Sequence, residues 1–334
     1  MNAPVIDVST AYATEHKRKL GSDIYQHLRA HGYFFVGGTS FTDERISKLF
    51  ETCNQFFELP HSEKERMSRL CRFDGNLISA YLPAGIEHIN NANDPEHKEV
   101  LEFWTEDGYN TNYIVRILKG DPTVAEDDFW CPPALAGVKE SLLGCYSELI
   151  GIVYFLSDCL ALFLREEADF FSKDFGKNNN CRITRALRHD RPRTKDVVRI
   201  GAHEDHGCFT CVIHEPGYES GFQVFREGDG WRSVPKPKDA IYIHGGNMLS
   251  LWTNGAIPAT LHRVVDPGWE GNRHAINLFT GTNQNVIVSP IAACIADGQA
   301  QRAPFMAADA YLIMTDSHSM HVDDESSPAS PGSC

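Results

Sequence analysis

Two kinds of hydrophobic pattern divide this chain. In the first half, apolar residues recur at helical spacing between short strands. From Cys181 onward they come in brief runs separated by turn residues. Pro4-Val5-Ile6-Asp7-Val8 reads as an opening strand. Residues 12–31 read as a helix, which Gly32 stops. Tyr33-Phe34-Phe35-Val36 is a strand of the fully buried type, ended by Gly37-Gly38. Thr42 or Asp43 caps a helix through Phe57, with an apolar stripe at Ile46, Leu49, Phe50, Cys53, Phe56 and Phe57. Leu59-Pro60 breaks it. Residues 71–133, rich in Asn, Asp, Gly and Pro, read as irregular, and a long helix is expected from Pro133 to Glu166. The later runs are Cys181–Leu187, Phe209–His214, Gly221–Phe225, Trp231–Val234, Ala240–His244, Thr260–Val265 and His274–Thr280. Strands so short and so spaced predict an antiparallel sandwich or jelly roll.

The organisation expected is one domain over residues 1–320. It has a mostly helical front half to about residue 180, a β core over 181–290 and a C-terminal segment over 291–320. The Ser/Pro/Asp-rich end, 321–334, is expected to be disordered. The class is thus mainly β with α, a jelly-roll core flanked by N-terminal helices. Leu142 to Leu164 is the longest apolar stretch. Glu148 and Asp158 within it favour a buried helix over a membrane span.

Charge narrows the function. A formal net charge of −14 argues against general nucleic-acid or anionic-membrane binding. The start shows no basic stretch followed by an apolar run, so a cytoplasmic setting is expected. Ten cysteines scattered over such a chain read as reduced, mostly buried thiols. Cys208 and Cys211 form a C-x-x-C, but positions three apart on a strand face opposite ways, so a redox pair is not expected. Sequence says nothing about oligomeric state.

The candidate chemistry lies in Gly201-Ala202-His203-Glu204-Asp205-His206. Side chains at i and i+2 of a strand share a face, so His203 and Asp205 can grip one metal ion. His262, in Leu261-His262-Arg263-Val264, can supply a second imidazole from a later strand. Two imidazoles and one carboxylate with open positions are the ligand set of non-haem Fe(II) oxygenases. The histidines at 206, 214, 244 and 274 read as structural, and those at 318 and 321 as irrelevant to catalysis.

In order along the chain, several segments resemble the isopenicillin N synthase-like Fe(II)/2-oxoglutarate-dependent dioxygenases over roughly residues 4–315. They are Pro4 to Ser9, His31-Gly32-Tyr33-Phe34-Phe35-Val36, Phe56-Phe57-Glu58-Leu59-Pro60 with Glu63-Lys64, and Lys98-Glu99. Then come Gly221-Phe222-Gln223-Val224, Trp252-Thr253-Asn254-Gly255 and Leu261-His262-Arg263-Val264. The resemblance implies a double-stranded β-helix and Fe(II) held by His203, Asp205 and His262. It also implies 2-oxoglutarate as cosubstrate, with its far carboxylate on Arg273, and dioxygen as oxidant. An arginine offers a carboxylate a bidentate fork; a structural salt bridge is the alternative for Arg273. Succinate and carbon dioxide would form as hydrogen is abstracted from the substrate.

Two positions depart from the family's pattern. Its Arg-x-Ser is Arg273-His274-Ala275 here, which removes one hydroxyl. An ungapped alignment puts Ala186 where a pocket tyrosine usually stands. These departures keep open a 2-oxoglutarate-independent oxidase of the same fold; a non-catalytic binding protein is a further alternative. The substrate expected is a small molecule, a specialised metabolite or an amino-acid-like compound, leading to hydroxylation, desaturation or ring rearrangement. Arg182 is placed on the inward face with Thr184 and Ala186 and is assigned to an anionic substrate group, with a core ion pair as the alternative. Tyr81, Phe103 and Phe279 are taken as pocket walls.

Overall fold

The computed structural model describes residues 4–9, 14–65, 71–74, 77–85, 87, 97–105, 136–176, 179–188, 197–217 and 219–317. His318, His321 and the rest of the expected tail lie outside them.

The helices are α1 (Thr14–His31), α2 (Asp43–Phe57), α3 (His61–Glu65), α4 (Ala136–Phe163), α5 (Asn247–Trp252) and α6 (Ala307–Ser317). The strands begin with β1 (Val5–Asp7), β2 (Tyr33–Gly37), β3 (Cys71–Asp74), β4 (Leu77–Leu82), β5 (Lys98–Thr105), β6 (Asn180–Ala186), β7 (Val197–His203) and β8 (Phe209–His214). They continue with β9 (Phe222–Arg226), β10 (Gly230–Ser233), β11 (Ile241–Gly245), β12 (His262–Asp266), β13 (Arg273–Thr280), β14 (Ile287–Val288) and β15 (Phe305–Met306).

The larger sheet runs β1-β2-β11-β8-β13-β6-β5-β4-β3, and the smaller β10-β9-β12-β7. Every pairing in them is antiparallel except β1 with β2. The sheets face each other across a cluster of Phe35, Val212, Tyr242 and Ala275 from one, and Phe222, Val224 and Val264 from the other. This is the jelly roll. On its other face the larger sheet meets α1, α2 and α4 through Ile183, Ile213, Ile243 and Ile276, in a second and larger cluster. Both faces of β8 and β11 are therefore covered, and every residue of both strands is buried. That explains their unbroken apolar runs.

The helical layer follows its capping and packing signals. The Thr42 side chain accepts the backbone N–H of Arg45 at 3.2 Å and starts α2. Gly32, at φ +80°, ends α1 where few side chains could, its N–H returning to Leu28 O at 2.9 Å. Gly21 lets α1 press on α4, because a Cβ there would stand 2.0 Å from Cys159 O. α4 is long and apolar enough to cross a membrane, yet Leu142, Leu149, Val153, Leu156 and Leu160 are spent on the core. Cys53, Cys145, Cys159, Cys181, Cys208, Cys211 and Cys294 are buried free thiols.

One expectation needs correcting. The stretch 71–133 is not irregular where it is described, since β3, β4 and β5 extend the larger sheet through β6. Charged residues hid β5. Glu99 lies on the helix-facing side with Leu101 and Phe103; Lys98 and Glu102 lie on the inner side with Val100 and Trp104. Buried charges on both faces erase an apolar alternation.

Candidate active site

Register decides what faces the jelly-roll interior. Directly paired residues of antiparallel strands share a face, so each row can be followed across the larger sheet. Arg273, Ala186 and Lys98 form one inward row. Next come Ala275 with His214, Thr184 and Val100, then Asn277 with Val212, Arg182 and Glu102. Last is Phe279 with Thr210, Asn180 and Trp104. β11 adds Tyr242 beside Val212 and His244 beside Thr210.

At the Thr210 end three ligand atoms converge. His203 Nε2 lies 3.5 Å and His262 Nε2 3.9 Å from Asp205 Oδ1, and His203, Asp205 and His262 can offer one ligand atom each within 4.8 Å of one another. His203 ends β7 and is the direct partner of His262, which opens β12. Asp205 is not on the strand as expected but two residues past its end. Its loop is pinned to the start of α5, where Asn247 N donates to Asp205 O at 2.8 Å and Gly246 N to Cys208 O at 3.0 Å. The carboxylate thus reaches the same point by loop geometry and not by strand alternation.

The protonation pattern suits a cation. His203 Nδ1 donates to Gly201 O at 2.8 Å, and His262 Nδ1 to Thr260 O at 2.9 Å. A carbonyl can only accept, so each ring keeps its Nε2 lone pair for the shared point. Burial, then the neighbouring His203, holds His262 well below its ordinary range and hence neutral. Burial raises the Asp205 carboxyl, but the surrounding imidazoles, among which His244 donates its Nε2–H, hold it well below its usual range, and it stays ionised. Its other oxygen, Oδ2, accepts His244 Nε2–H at 2.7 Å and the Thr210 hydroxyl. His244, read from the sequence as structural, and Thr210, which the sequence reading passed over, therefore orient the carboxylate. The residues present fit a divalent transition metal.

Arg273 stands at the other end of the inner face, 5% exposed. Its Nη2 donates to His214 Nδ1 at 2.9 Å, and its guanidinium lies 5.3 Å from the Trp269 ring centre. Among the described residues no carboxylate comes within ion-pair distance of it, so the salt-bridge alternative finds no partner. Burial pulls Arg273 down to about 10, against Glu215, which raises it. It remains a cation at neutral pH. Burial and the adjacent guanidinium keep His214 neutral. Ala275 brings no hydroxyl, but Thr184 faces it directly across β6, on the same inner face.

Other expected site residues fall elsewhere. Tyr81 and Phe103 are in register with Leu101–Ile183 and Cys181–Leu278, on the helix-facing side, and both sit in the helix-side core. They point away from the metal ligands, one residue out of phase with the inner face. Tyr81 donates its hydroxyl to Glu99, which also meets Lys64 and Arg185. Phe279 is on the inner face and half-buried. Arg182 is on the inner face, but Glu87 and Glu102 meet its charge, the latter with Oε2 3.2 Å from Nε. Arg182 therefore meets protein carboxylates, as in its ion-pair alternative, and not a position left for an anionic substrate group.

Known proteins carry the same plan. A family model described as the 2OG-Fe(II) oxygenase superfamily matches residues 178–282. A second, described as the N-terminal region of non-haem dioxygenases in morphine synthesis, matches residues 3–118. The chain belongs to the Fe(II)/2-oxoglutarate-dependent dioxygenase family. It is 26% identical over 291 residues to the 2-oxoglutarate-dependent dioxygenase traH of Penicillium crustosum, covering 83% of each chain. It is 24% identical over 296 residues to kihadalactone A synthase LFS of Citrus sinensis, covering 84% of this chain and 83% of the relative. Its fold matches that of a full-length Neurospora crassa protein crystallised in complex with alpha-KG, with TM-score 0.72 and 20% identity over 93% of this chain and 94% of the other. The protein is thus a dioxygenase that uses Fe(II), 2-oxoglutarate and dioxygen, as the family resemblance implied.

Proposed function

We propose that His203, Asp205 and His262 hold the Fe(II), that Arg273 anchors the far carboxylate of 2-oxoglutarate, and that the enzyme oxidises a C–H bond of a small specialised metabolite. One observation carries the site assignment. Two imidazole Nε2 lone pairs and a carboxylate oxygen meet at one point, each fixed from behind by a carbonyl, a histidine or a hydroxyl. Bound Fe(II), with 2-oxoglutarate and dioxygen, supplies the oxidising power that removes a hydrogen atom from a substrate C–H bond, leaving succinate and carbon dioxide as coproducts.

The chain's own groups do the rest. The ionised Asp205 offsets part of the metal's charge. Arg273, desolvated and without a carboxylate partner among the described residues, is ready for an anion. Phe222, Tyr242 and Val264 wall the interior and exclude water. Relatives named for natural products, such as kihadalactone A synthase, support the substrate class. Hydroxylation is the default outcome, and desaturation or ring rearrangement starts from the same substrate radical. A screen of small specialised metabolites, with Fe(II) and 2-oxoglutarate supplied and succinate measured, tests this. Substrate-stimulated succinate that disappears in Asp205→Ala supports it; full substrate turnover without 2-oxoglutarate contradicts it.

A further inference from the structure

The inner face beyond the cosubstrate end carries polarity that the fold alone does not require. On the opposite face of the same strands the corresponding rows are Ile276–Ile183–Leu101 and Leu278–Cys181–Phe103, apolar throughout. The inner rows read Asn277–Arg182–Glu102 and Phe279–Asn180–Trp104. Glu102 is 1% and Asn180 4% exposed. Arg182 and Lys98 both turn to Glu87, the latter at 3.0 Å. Asn180 Nδ2 donates to Glu102, and Asn277 Nδ2 to the Thr184 hydroxyl at 3.4 Å.

These bonds use donors and leave one acceptor over. Asn180 Oδ1 is buried with no hydrogen-bond partner, whereas Glu102 Oε2 is ion-paired with Arg182 Nε at 3.2 Å. Burial pushes the Glu102 carboxyl up to about 7; Arg182 lowers it, Glu87 raises it and Lys98 lowers it. A buried acceptor left unmet is costly, so a ligand that meets it binds selectively. Its position also suits a substrate. Asn180 pairs with Phe279, and Phe279 with Thr210, whose hydroxyl holds Asp205. Two strand spacings, about 10 Å, separate Asn180 from Thr210, which is the span of a small molecule between its recognition point and the metal.

We propose that Asn180, positioned by Glu102, reads the primary substrate, and that it selects a small molecule presenting an N–H or O–H hydrogen-bond donor, such as a lactam, amide or alcohol. Asn180 Oδ1 receives the donor; Glu102, held by Arg182, accepts Asn180 Nδ2 and so positions the amide. This rests on the reading of His203, Asp205 and His262 as the metal site. It assigns to that site a donor-bearing substrate in place of the anionic one that Arg182 had suggested.

The test is a binding measurement on the full chain loaded with Mn(II) and 2-oxoglutarate, with 2-piperidone and N-methyl-2-piperidone as matched probes. Paramagnetic broadening of probe protons reports which probe dwells near the metal. Mn(II) and 2-oxoglutarate binding are titrated first, and their absence in the wild type overturns the metal-site reading itself. Given that loading, the wild type is expected to broaden the lactam several-fold more than its N-methyl counterpart. Asn180→Leu and Glu102→Gln should each shrink that preference while Mn(II) and 2-oxoglutarate still bind. Two variants are used because either one could disturb the packing of β6 or β5. Equal broadening of the two probes, broadening of neither, or a preference that survives in both variants overturns the proposal.

Discussion

At the scale of single residues, the site depends on groups that act through others as much as on the ligands. His244 touches no proposed substrate, yet its Nε2–H fixes Asp205 Oδ2. Removing such an outer partner typically costs about 10–100-fold in metal affinity. His244→Leu should therefore weaken Fe(II) binding by about that factor, while Asp205→Ala abolishes it; a metal titration that gives His244→Leu the wild-type affinity would refute the positioning role. Arg273 is the clearest case of a charge in need of a ligand. Losing a desolvated charge-assisted contact to a carboxylate costs about 2–5 kcal/mol, so Arg273→Gln should raise the Kd for 2-oxoglutarate by at least about 30-fold, with metal affinity unchanged. The triad was legible because ligand type and spacing are local facts of His203, Asp205 and His262. Its orienting shell was legible in principle. Thr210, Val212 and His214 alternate on β8, and Tyr242 and His244 on β11, but only the register between strands brings Thr210 and His244 to one carboxylate.

At the scale of elements, strands with one clean period were readable and strands with charges on both faces were not. The capped α2 and the apolar β8 and β11 follow from their patterns. β5 was missed because Lys98, Glu99 and Glu102 interrupt its apolar positions, and each of these is buried in an ion pair or hydrogen bond made by a distant segment. Tyr81 and Phe103 were assigned to the pocket by residue type, and a one-residue phase in the sheet puts them on the helix side. Arg182 was correctly phased, but its partners Glu87 and Glu102 come from segments far away in sequence. Breaking a buried pair by removing one partner commonly costs about 3–5 kcal/mol. Arg182→Gln should therefore lower the melting temperature markedly. A variant that melts with the wild type would show that the Glu87–Arg182–Glu102 cluster contributes nothing to β5–β6 pairing.

For the whole molecule, the jelly roll divides its buried charge between two sheet faces, and the inner face sets a pH dependence. Glu102 has its folded value raised to about 7 from an ordinary 4.5, so it favours the folded state most when protonated. Its contribution is present below the unfolded value and is lost as pH rises from about 4.5 through 7. Glu87 runs the other way. With Arg182 and Lys98 outweighing burial, it is held at about 2. Its contribution is present above the unfolded value and is lost as pH falls through about 2. Thermal melts of the wild type and Glu102→Gln should therefore diverge as pH climbs from 5 to 8, the variant gaining relative stability; parallel melting curves would contradict the raised carboxyl. The central claim, that His203, Asp205 and His262 build one iron site that works with 2-oxoglutarate, has a direct test. Under anaerobic conditions Fe(II) chelated by 2-oxoglutarate gives a visible charge-transfer absorption, which can be titrated against protein. The account predicts a band that saturates at one Fe(II) per chain in the wild type and is missing in Asp205→Ala. A band of undiminished size in Asp205→Ala, or none in the wild type, would contradict it.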